Sequence, residues 1–179
     1  VLNLPIFVEG AWSVNTTNFF STGLKSLIWV DELASYIALE SGKFITSPDG
    51  VTWTASNPST ANDWQGVAYD PVSGTLVLVS STGTNSRVAY STNGGTTWTQ
   101  PVAAIADNSW RSVVWSPALS LFVAVSSDGT DRVATSPDGI TWTPRTASEA
   151  NTWYSVCWSP DLAIFCAVSQ GGTNRVMTS

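Results

Sequence analysis

Residues 110–136 read WRSVVWSPALSLFVAVSSDGTDRVATS, and residues 153–179 read WYSVCWSPDLAIFCAVSQGGTNRVMTS. The two segments are identical at 17 of 27 positions without a gap. Residues 64–91 repeat the same unit with one extra residue, and residues 24–47 carry an eroded copy with a shorter middle turn. Because self-similarity at a period of about 40 to 50 residues is typical of stacked or circular arrays, the sequence predicts a repeat protein.

Each repeat contains four short strand-like runs. In the third copy these runs are RSVVWS, SLFVAVS, RVATS and ITWTPR, and Pro, Gly, Asp and Ser dominate the turns between them. Four antiparallel strands in a unit of about 45 residues are typical of a propeller blade. We therefore predict an all-β protein, specifically a β-propeller with four blades of four antiparallel strands.

The predicted domain is a single β-propeller that spans residues 1–179. Its four blades are 24–55, 64–100, 110–145, and 153–179 together with 10–14. The last assignment depends on Trp12, which lies twelve residues before Leu24 just as Trp98 lies twelve residues before Trp110. A strand supplied by the N-terminal segment would close the ring and remove exposed sheet edges. A larger ring, or one assembled from several chains, is the alternative.

One phrase recurs between the third and fourth strand-like runs. It reads SPDGVTW at 47–53, STNGGTTW at 91–98 and SPDGITW at 136–142. The phrase resembles the Asp-box, or BNR repeat, with the pattern Ser-x-Asp-x-Gly-x-Thr-Trp, and this resemblance implies a hairpin turn within each blade. We expect a structural role for the acidic or amide residues and the tryptophans of the phrase, which are Asp49, Asn93, Asp138, Trp53, Trp98 and Trp142. A small cation bound at the turns is the alternative.

The whole repeat is also similar to propeller repeats of phage virion and tail proteins and of environmental bacterial proteins. This resemblance implies a virion-associated or extracellular location. It covers nearly the full chain and indicates the fold more specifically than the function.

Composition narrows the functional classes. The chain contains no His, only seven Lys and Arg, and a net charge of −6, which argues against binding to a nucleic-acid backbone. No apolar run has the length of a membrane span. Without His, and without Cys clusters at metal-ligand spacing, we predict no metal and no cofactor. Cys157 and Cys166 occupy positions at which the third copy has Val, so we expect buried thiols rather than a disulfide.

The resemblance to Asp-box propellers also raises the possibility of catalysis, because that family includes sialidases. Arg87, Arg132 and Arg175 occupy the same position in successive copies. Residues related by the blade repeat lie on separate blades, so they do not easily converge on one substrate carboxylate. We therefore predict no catalytic residues and a protein that is not an enzyme, and we keep a sialidase-like glycoside hydrolase as the least favoured alternative.

The remaining prediction is a binding or structural module that attaches to a protein or to a cell surface, as a possible homo-oligomer or part of a virion assembly. The alternative is a lectin with one carbohydrate site per blade. Its candidate ligand-binding residues are Trp64, Trp110, Trp153, Arg87, Arg132 and Arg175, because Trp stacks on sugars and Arg donates to hydroxyl and acidic groups. The competing interpretation is that Trp fills the space between blades and Arg contacts a neighbouring loop.

Overall fold

The computed structural model describes residues 23–58, 62–101 and 104–179. In these residues it contains fourteen β-strands in four antiparallel sheets, and its only helix is the short 3-10 turn Asp31–Leu33. The predicted all-β class and the repeated sheets are therefore confirmed. The number of blades in a closed ring stays a prediction.

Each sheet follows chain order, and successive strands pair as antiparallel neighbours. The first sheet contains β1 (Ser26–Val30), β2 (Ser35–Glu40), β3 (Lys43–Ser47) and β4 (Thr54–Ser56). The second contains β5 (Trp64–Asp70), β6 (Thr75–Ser80) and β7 (Val88–Ser91). The third contains β8 (Trp110–Ser116), β9 (Leu121–Ser126), β10 (Val133–Ser136) and β11 (Thr143–Arg145). The fourth contains β12 (Trp153–Ser159), β13 (Ile164–Ser169) and β14 (Val176–Thr178).

The predicted fourth run of each repeat is short in the structure. In the first and third sheets it is a strand of three residues. In the second sheet it is reduced to one bridge, in which the backbone groups of Tyr90 and Thr99 exchange two hydrogen bonds of 2.9 Å. For the fourth sheet, the predicted run at residues 10–14, including Trp12, lies outside the described residues.

The hydrophobic core lies between neighbouring sheets. The buried Trp64 belongs to a cluster with Ile37, Leu39 and Phe44 of the preceding sheet. Trp110 and Trp153 belong to equivalent clusters at the next two junctions. Because each sheet buries its face against the next one, the four sheets form a continuous row in which packing is local.

The first strand of each sheet lies nearest the central cavity. Three of these four strands begin with a β-bulge. The register shifts between Trp64 and Gly66 in β5, and equivalent shifts occur near the start of β8 and β12. One extra residue thus stands at the start of each of these strands, namely Gln65, Arg111 and Tyr154. Such a bulge leaves one residue unpaired, bends the strand locally and redirects a side chain.

Candidate functional site

A cavity of about 710 Å³ is bounded by the four first strands, β1, β5, β8 and β12. Two of these strands approach each other closely, because a Cβ atom at Gly66 would lie 3.0 Å from the Cα atom of Ser112. The backbone N–H of Val156 donates to Ser112 Oγ at 3.3 Å and connects the next pair. The cavity is therefore built from equivalent strands of all four repeats.

One end of the cavity is lined by residues that occupy the same position in the four copies, and we call them the polar quartet. Three of its members are the bulge residues. The quartet consists of Lys25, Gln65, Arg111 and Tyr154.

Two members of the polar quartet make a hydrogen bond that recurs in the repeat, because Gln65 Nε2 donates to Ser81 Oγ at 3.2 Å as Arg111 donates to the equivalent Ser127. Arg111 Nε donates to Ser127 Oγ at 3.0 Å, and its guanidinium carbon lies 5.3 Å from the ring centroid of the exposed Tyr154. Gln65 Nε2 donates to Asp63 Oδ2 at 2.7 Å. Within the described part of the chain, the ion pairs are Lys43–Glu40 and Arg87–Asp107, and neither involves a quartet member. Lys25 and Arg111 place two cations at this end of the cavity, and the guanidinium of Arg111 interacts electrostatically with the carboxylate of Asp128.

The middle of the cavity is less polar than its two ends. Its wall comes from the equivalent residues Ile28, Ala68, Val114 and Cys157. Cys157 and Cys166 are directly opposite each other in β12 and β13, and both thiols are free. The expectation that both are buried is wrong, because Cys166 is only partly buried and Cys157 is exposed on the strand that forms part of the cavity wall.

The opposite end of the cavity is aromatic and acidic. Trp29, Tyr69 and Trp115 occupy equivalent positions there, and Asp31 and Glu32 follow β1 at the same end. Trp29 is exposed, and its Nε1 donates to Asp31 Oδ1 at 2.6 Å. Burial raises the pKa of Tyr69, and the carboxylates of Glu32 and Asp70 raise it further. The cavity therefore has a cationic end and an acidic, aromatic end.

The tryptophans that were predicted as ligand-binding candidates lie elsewhere. Trp64, Trp110 and Trp153 are buried in the junctions between sheets. The indole N–H groups of Trp110 and Trp153 donate to the carbonyl oxygens of Ala106 (2.8 Å) and Glu149 (3.0 Å). Their rings thus offer no free face to a ligand in this structure, and a binding role for them stays a prediction.

The arginines predicted together with them connect adjacent repeats. Arg87 donates from Nη2 to the carbonyl oxygen of Asp107 at 3.1 Å, in the loop that precedes β8. Arg132 donates from Nη1 to the carbonyl oxygen of Asn151 at 2.8 Å, in the loop that precedes β12. Arg175 donates from Nε to its own turn, at Gly172, over 3.2 Å. The structure places these three arginines on separate sheets, and a ligand-binding role for them is untested.

The recurring phrase forms a compact turn in each of the first three sheets. Asp138 Oδ1 accepts from the backbone N–H groups of Ile140 and Thr141, each at 2.8 Å. Asp49 accepts from Val51 and Thr52 in the same way, at 2.8 and 2.7 Å. Asn93 Oδ1 accepts from the N–H of Thr97 at 2.9 Å. These hydrogen bonds are those expected of a structural turn.

Two of the three tryptophans of the phrase, Trp98 and Trp142, pack against the sheet that precedes their own. The Trp98 ring packs edge-on against Phe44 of the first sheet, with centroids 4.8 Å apart. Trp142 is buried in the cluster that contains Val77 and Val79 of the second sheet. Trp53 is partly buried, and its indole N–H donates to Gly50 O at 3.2 Å. The turn thus contributes to packing between sheets as well as to its own hairpin.

The described residues contain neither a cluster suited to a metal ion nor a helix suited to a membrane. Among residues 23–58, 62–101 and 104–179, no group of three or more His, Cys, Asp or Glu side chains is placed to hold a metal ion. In the same ranges, no helix has the length and apolarity needed to cross a bilayer.

The polar quartet was missed in the sequence, although a signal for it was present. Its position follows the repeated first residue of each copy, and it carries Lys, Gln, Arg and Tyr in turn. Candidate residues were chosen because they recur in every copy. The quartet position recurs, but the residue type at this position differs from copy to copy.

Comparison with known proteins supports the fold. No protein-family model matches the chain, and no curated protein matches it in sequence. The nidogen/laminin complex matches with 16% identity and a TM-score of 0.65, over 81% of this chain and 55% of the other. YCF48 bound to D1 peptide matches with 16% identity and a TM-score of 0.60, over 81% and 47%. The GH74 enzyme of Niastella koreensis matches with 21% identity and a TM-score of 0.70, over 87% and 28%.

These similar structures are β-propeller proteins. The chain has a β-propeller fold. It spans about half the length of the nidogen/laminin and YCF48 structures and 28% of the GH74 enzyme. The resemblance to Asp-box and phage proteins has no support from a family or sequence match.

The prediction that the chain is not an enzyme is wrong, because solved structures with this fold include enzymes. Besides the GH74 enzyme, they include a gluconolactonase from Xanthomonas campestris, with a TM-score of 0.69, and a streptogramin B lyase, with a TM-score of 0.65. The separation of Arg87, Arg132 and Arg175 argues only against one convergent arginine site. The fold itself is compatible with catalysis.

Proposed function

We propose that this chain is a protein-binding module that holds a segment of its partner in the cavity between β1, β5, β8 and β12. The observation that carries the proposal is the polar quartet. Its four members stand at equivalent positions of the repeat, line one cavity, and differ in chemical type.

Packing does not account for the chemistry of the quartet. Where repeats share a packing role they share residues, as the buried Trp64, Trp110 and Trp153 do. The quartet is adjacent to these tryptophans in sequence, yet Tyr154 is exposed and Arg111 is only half-buried. Partly exposed side chains that line one cavity are available for recognition.

The cavity matches a short peptide segment in size and chemistry. Its volume of about 710 Å³ lies within the range of about 300–1,000 Å³ that is usual for ligand sites. Arg and aromatic residues, the types that dominate binding energy in protein interfaces, line both ends. This wall is complementary to an extended peptide segment. The segment would place an acidic residue near Lys25 and Arg111, and an apolar or basic residue near Trp29 and Glu32.

Some similar structures support the same class of function. They include a nidogen/laminin complex and YCF48 bound to D1 peptide, both of them proteins in complex with a protein or peptide. A virion-associated or extracellular setting, and a partner on a cell surface, are parts of the proposal that rest on the resemblance of the repeats alone.

A random peptide library displayed on phage, selected against the purified protein, tests the proposal. We expect enriched peptides that bind the wild type and lose about tenfold or more in affinity, or about 1.4 kcal/mol, in Arg111→Ala and in Tyr154→Ala. The matched control is Arg145→Ala, because Arg145 is an exposed arginine outside the cavity that donates to Thr135 Oγ1 at 3.1 Å. Peptides that bind both cavity variants as well as the wild type would contradict the proposal, as would a failure to enrich any peptide.

A further inference from the structure

The turns of the four sheets form two sets that lie at opposite ends of the strands. Because successive strands are antiparallel, the turns from a first to a second strand and from a third to a fourth strand lie at one end. The turns from a second to a third strand lie at the other end. These second-to-third turns, which are 41–42, 81–87, 127–132 and 170–175, contain only Ser, Thr, Gly, Asn, Asp, Gln and Arg.

The turns at the first end expose large apolar side chains. Val72, Leu119 and Leu162 stand in turns that follow a first strand, and they are 89%, 53% and 70% exposed. Val51 and Ile140 stand in the recurring phrase and are 60% and 38% exposed. Side chains exposed to this extent contribute little to the packing of the sheets, so packing does not explain why these turns are apolar.

Neighbouring sheets bring these turns side by side. A Cβ atom placed on Gly139, in the phrase of the third sheet, would lie 3.7 Å from Thr75 Cγ2, at the start of β6 in the second sheet. A Cβ atom placed on Gly94, in the phrase of the second sheet, would lie 3.6 Å from Leu33 Cδ2, in the turn between β1 and β2. The apolar turns therefore belong to one surface.

The charged side chains are also divided between the two ends. Each of the seven Lys and Arg residues of the chain lies at or beside the start of a first or third strand, or at the end of a fourth strand. That end is opposite to the apolar turns. In the described turns at the apolar end and directly beside them stand six acidic residues and no Lys or Arg, the acidic residues being Asp31, Glu32, Asp49, Asp70, Asp138 and Asp161. We call these six acidic residues and the five exposed apolar side chains the turn face.

We propose that the turn face is a second docking surface, which binds a basic protein surface that carries apolar residues among its Lys and Arg side chains. Charge complementarity selects this occupant, because a face with carboxylates and no cation repels nucleic acids and anionic lipid surfaces. The exposed apolar side chains favour the contact because it removes them from water.

The turn face lies at the opposite end of the first strands from the polar quartet. Lys25, Gln65, Arg111 and Tyr154 stand at or beside the start of these strands, whereas the turn face begins where the strands end. The contact proposed for the turn face therefore does not depend on the peptide segment proposed for the cavity.

Isothermal titration calorimetry of the purified chain with two matched peptides tests the proposal. Both peptides have blocked ends; the basic one repeats Lys-Leu-Ser, and the acidic one repeats Glu-Leu-Ser. At low ionic strength we expect the basic peptide to bind and the acidic peptide not to bind. The affinity of the basic peptide should fall as salt is added, because salt screens exposed charges.

Substitutions on the turn face locate the contact. Val72→Ser and Leu162→Ser should each lower the affinity for the basic peptide about fivefold or more, because each removes an apolar side chain from the contact. Asp161→Lys should lower it as well, because it places a cation on the acidic face. All three side chains are exposed, so the circular dichroism spectrum should be unchanged.

Two matched controls change the same residue types away from the turn face. Val168→Ser replaces an exposed valine within β13, and Asp131→Lys alters the net charge equally at the other end of the strands. Both controls, and Arg111→Ala in the polar quartet, should keep the wild-type affinity. A loss in Arg111→Ala but not in the turn-face variants would place the peptide in the cavity and overturn this proposal alone.

Other results would also overturn the proposal. They are equal binding of the two peptides, no binding of the basic peptide, and a loss of affinity in the controls as large as in the turn-face variants. Binding of the wild type to phosphatidylserine vesicles that Leu162→Ser abolishes would assign the face to a membrane. Association of the wild type alone in light scattering, if Leu162→Ser abolishes it, would assign the face to a second copy.

Discussion

At the scale of single residues, Gly139 connects a turn to a neighbouring sheet. Its φ is +74°, and a Cβ atom placed on it would lie 2.4 Å from Val77 Cγ2 in the second sheet. Gly42 has the same φ of +74°, but a Cβ atom there would meet nothing within 4 Å. Substitution of Gly42 therefore reports only the free-energy cost of the left-handed backbone, whereas substitution of Gly139 adds the cost of close packing.

We predict that Gly42→Ala lowers the free energy of unfolding by about 1–2 kcal/mol, which is the cost of the left-handed conformation for a residue with a Cβ atom. Gly139→Ala should cost about 1–3 kcal/mol more, because the added methyl group overpacks the junction. Urea denaturation followed by tryptophan fluorescence measures both values. Equal losses in the two variants would show that the junction accommodates the methyl group.

The aspartates of the turns respond to acid. Backbone N–H groups of Thr52 and Val51 lower the pKa of Asp49 to about 2. For Asp138, burial by itself raises the pKa, but hydrogen bonds from Thr141 and Ile140 outweigh it and the net shift is downward. Since the folded state favours the charged form, this contribution to stability is present above the unfolded pKa and is lost as pH falls through the folded one.

We predict that the wild type loses more stability between about pH 4 and about pH 2 than a variant carrying both Asp49→Asn and Asp138→Asn. Asn93 forms the equivalent bond in the second sheet, so the amide is compatible with this turn. Thermal unfolding at a series of pH values measures the difference. Parallel pH profiles for the two proteins would refute the assignment of the acid sensitivity to these turns.

Residue roles could be predicted from the sequence where the chemistry is local. A turn of Ser, Asp and Gly needs only its own backbone, so the positions of Asp49 and Asp138 were predictable. Burial is not local, because it depends on whether another sheet lies on the same face. For this reason the sequence left two interpretations for Trp64, Trp110 and Trp153, and only the structure shows that they are buried.

At the scale of elements, the turn of one sheet stabilises the sheet before it. Trp142 follows the turn between β10 and β11 and is buried in the cluster with Val77, Val79 and Val88 of the second sheet. The indole N–H also donates to Gly139 O at 3.1 Å. Trp53, in the first sheet, makes the same bond within its turn but is only partly buried.

We predict that Trp142→Ala lowers the free energy of unfolding by about 3–5 kcal/mol, as expected for removing a buried aromatic side chain. Trp53→Ala should cost clearly less, because its ring buries less surface while its hairpin bond is the same. Denaturation of both variants under one condition measures the comparison. A similar loss for the two would assign the stabilisation to the hairpin itself rather than to the junction between sheets.

The existence and order of the strands were predictable because the repeat displays each strand several times. The bulges at Gln65, Arg111 and Tyr154 were not, since an extra residue in one strand is visible only against its partner's register. The short fourth runs also differ from the prediction. In the second sheet, one bridge at Thr99 stands in place of a strand, and Gly94 and Gly95 precede it in the turn.

At the scale of the whole molecule, each sheet depends mainly on its neighbours. The three hydrophobic clusters each join two adjacent sheets, so an end sheet has one such junction where an inner sheet has two. The repeat therefore predicted a propeller-like row, and the comparisons confirm that fold. The predicted closure of four blades by residues 10–14 stays a prediction, because a repeat unit is the same whether its ring is large or small.

The bulges at the start of β5, β8 and β12 have a consequence for how this chain can diversify. The tryptophan before the bulge maintains the packing of the sheet, and the bulge residue after it faces the cavity. Under the proposed function, a mutation in the polar quartet changes one of four contact positions and leaves the junctions between sheets intact. Four repeats on one framework would then vary these positions independently, so the preference for a partner could change in single steps without loss of the fold.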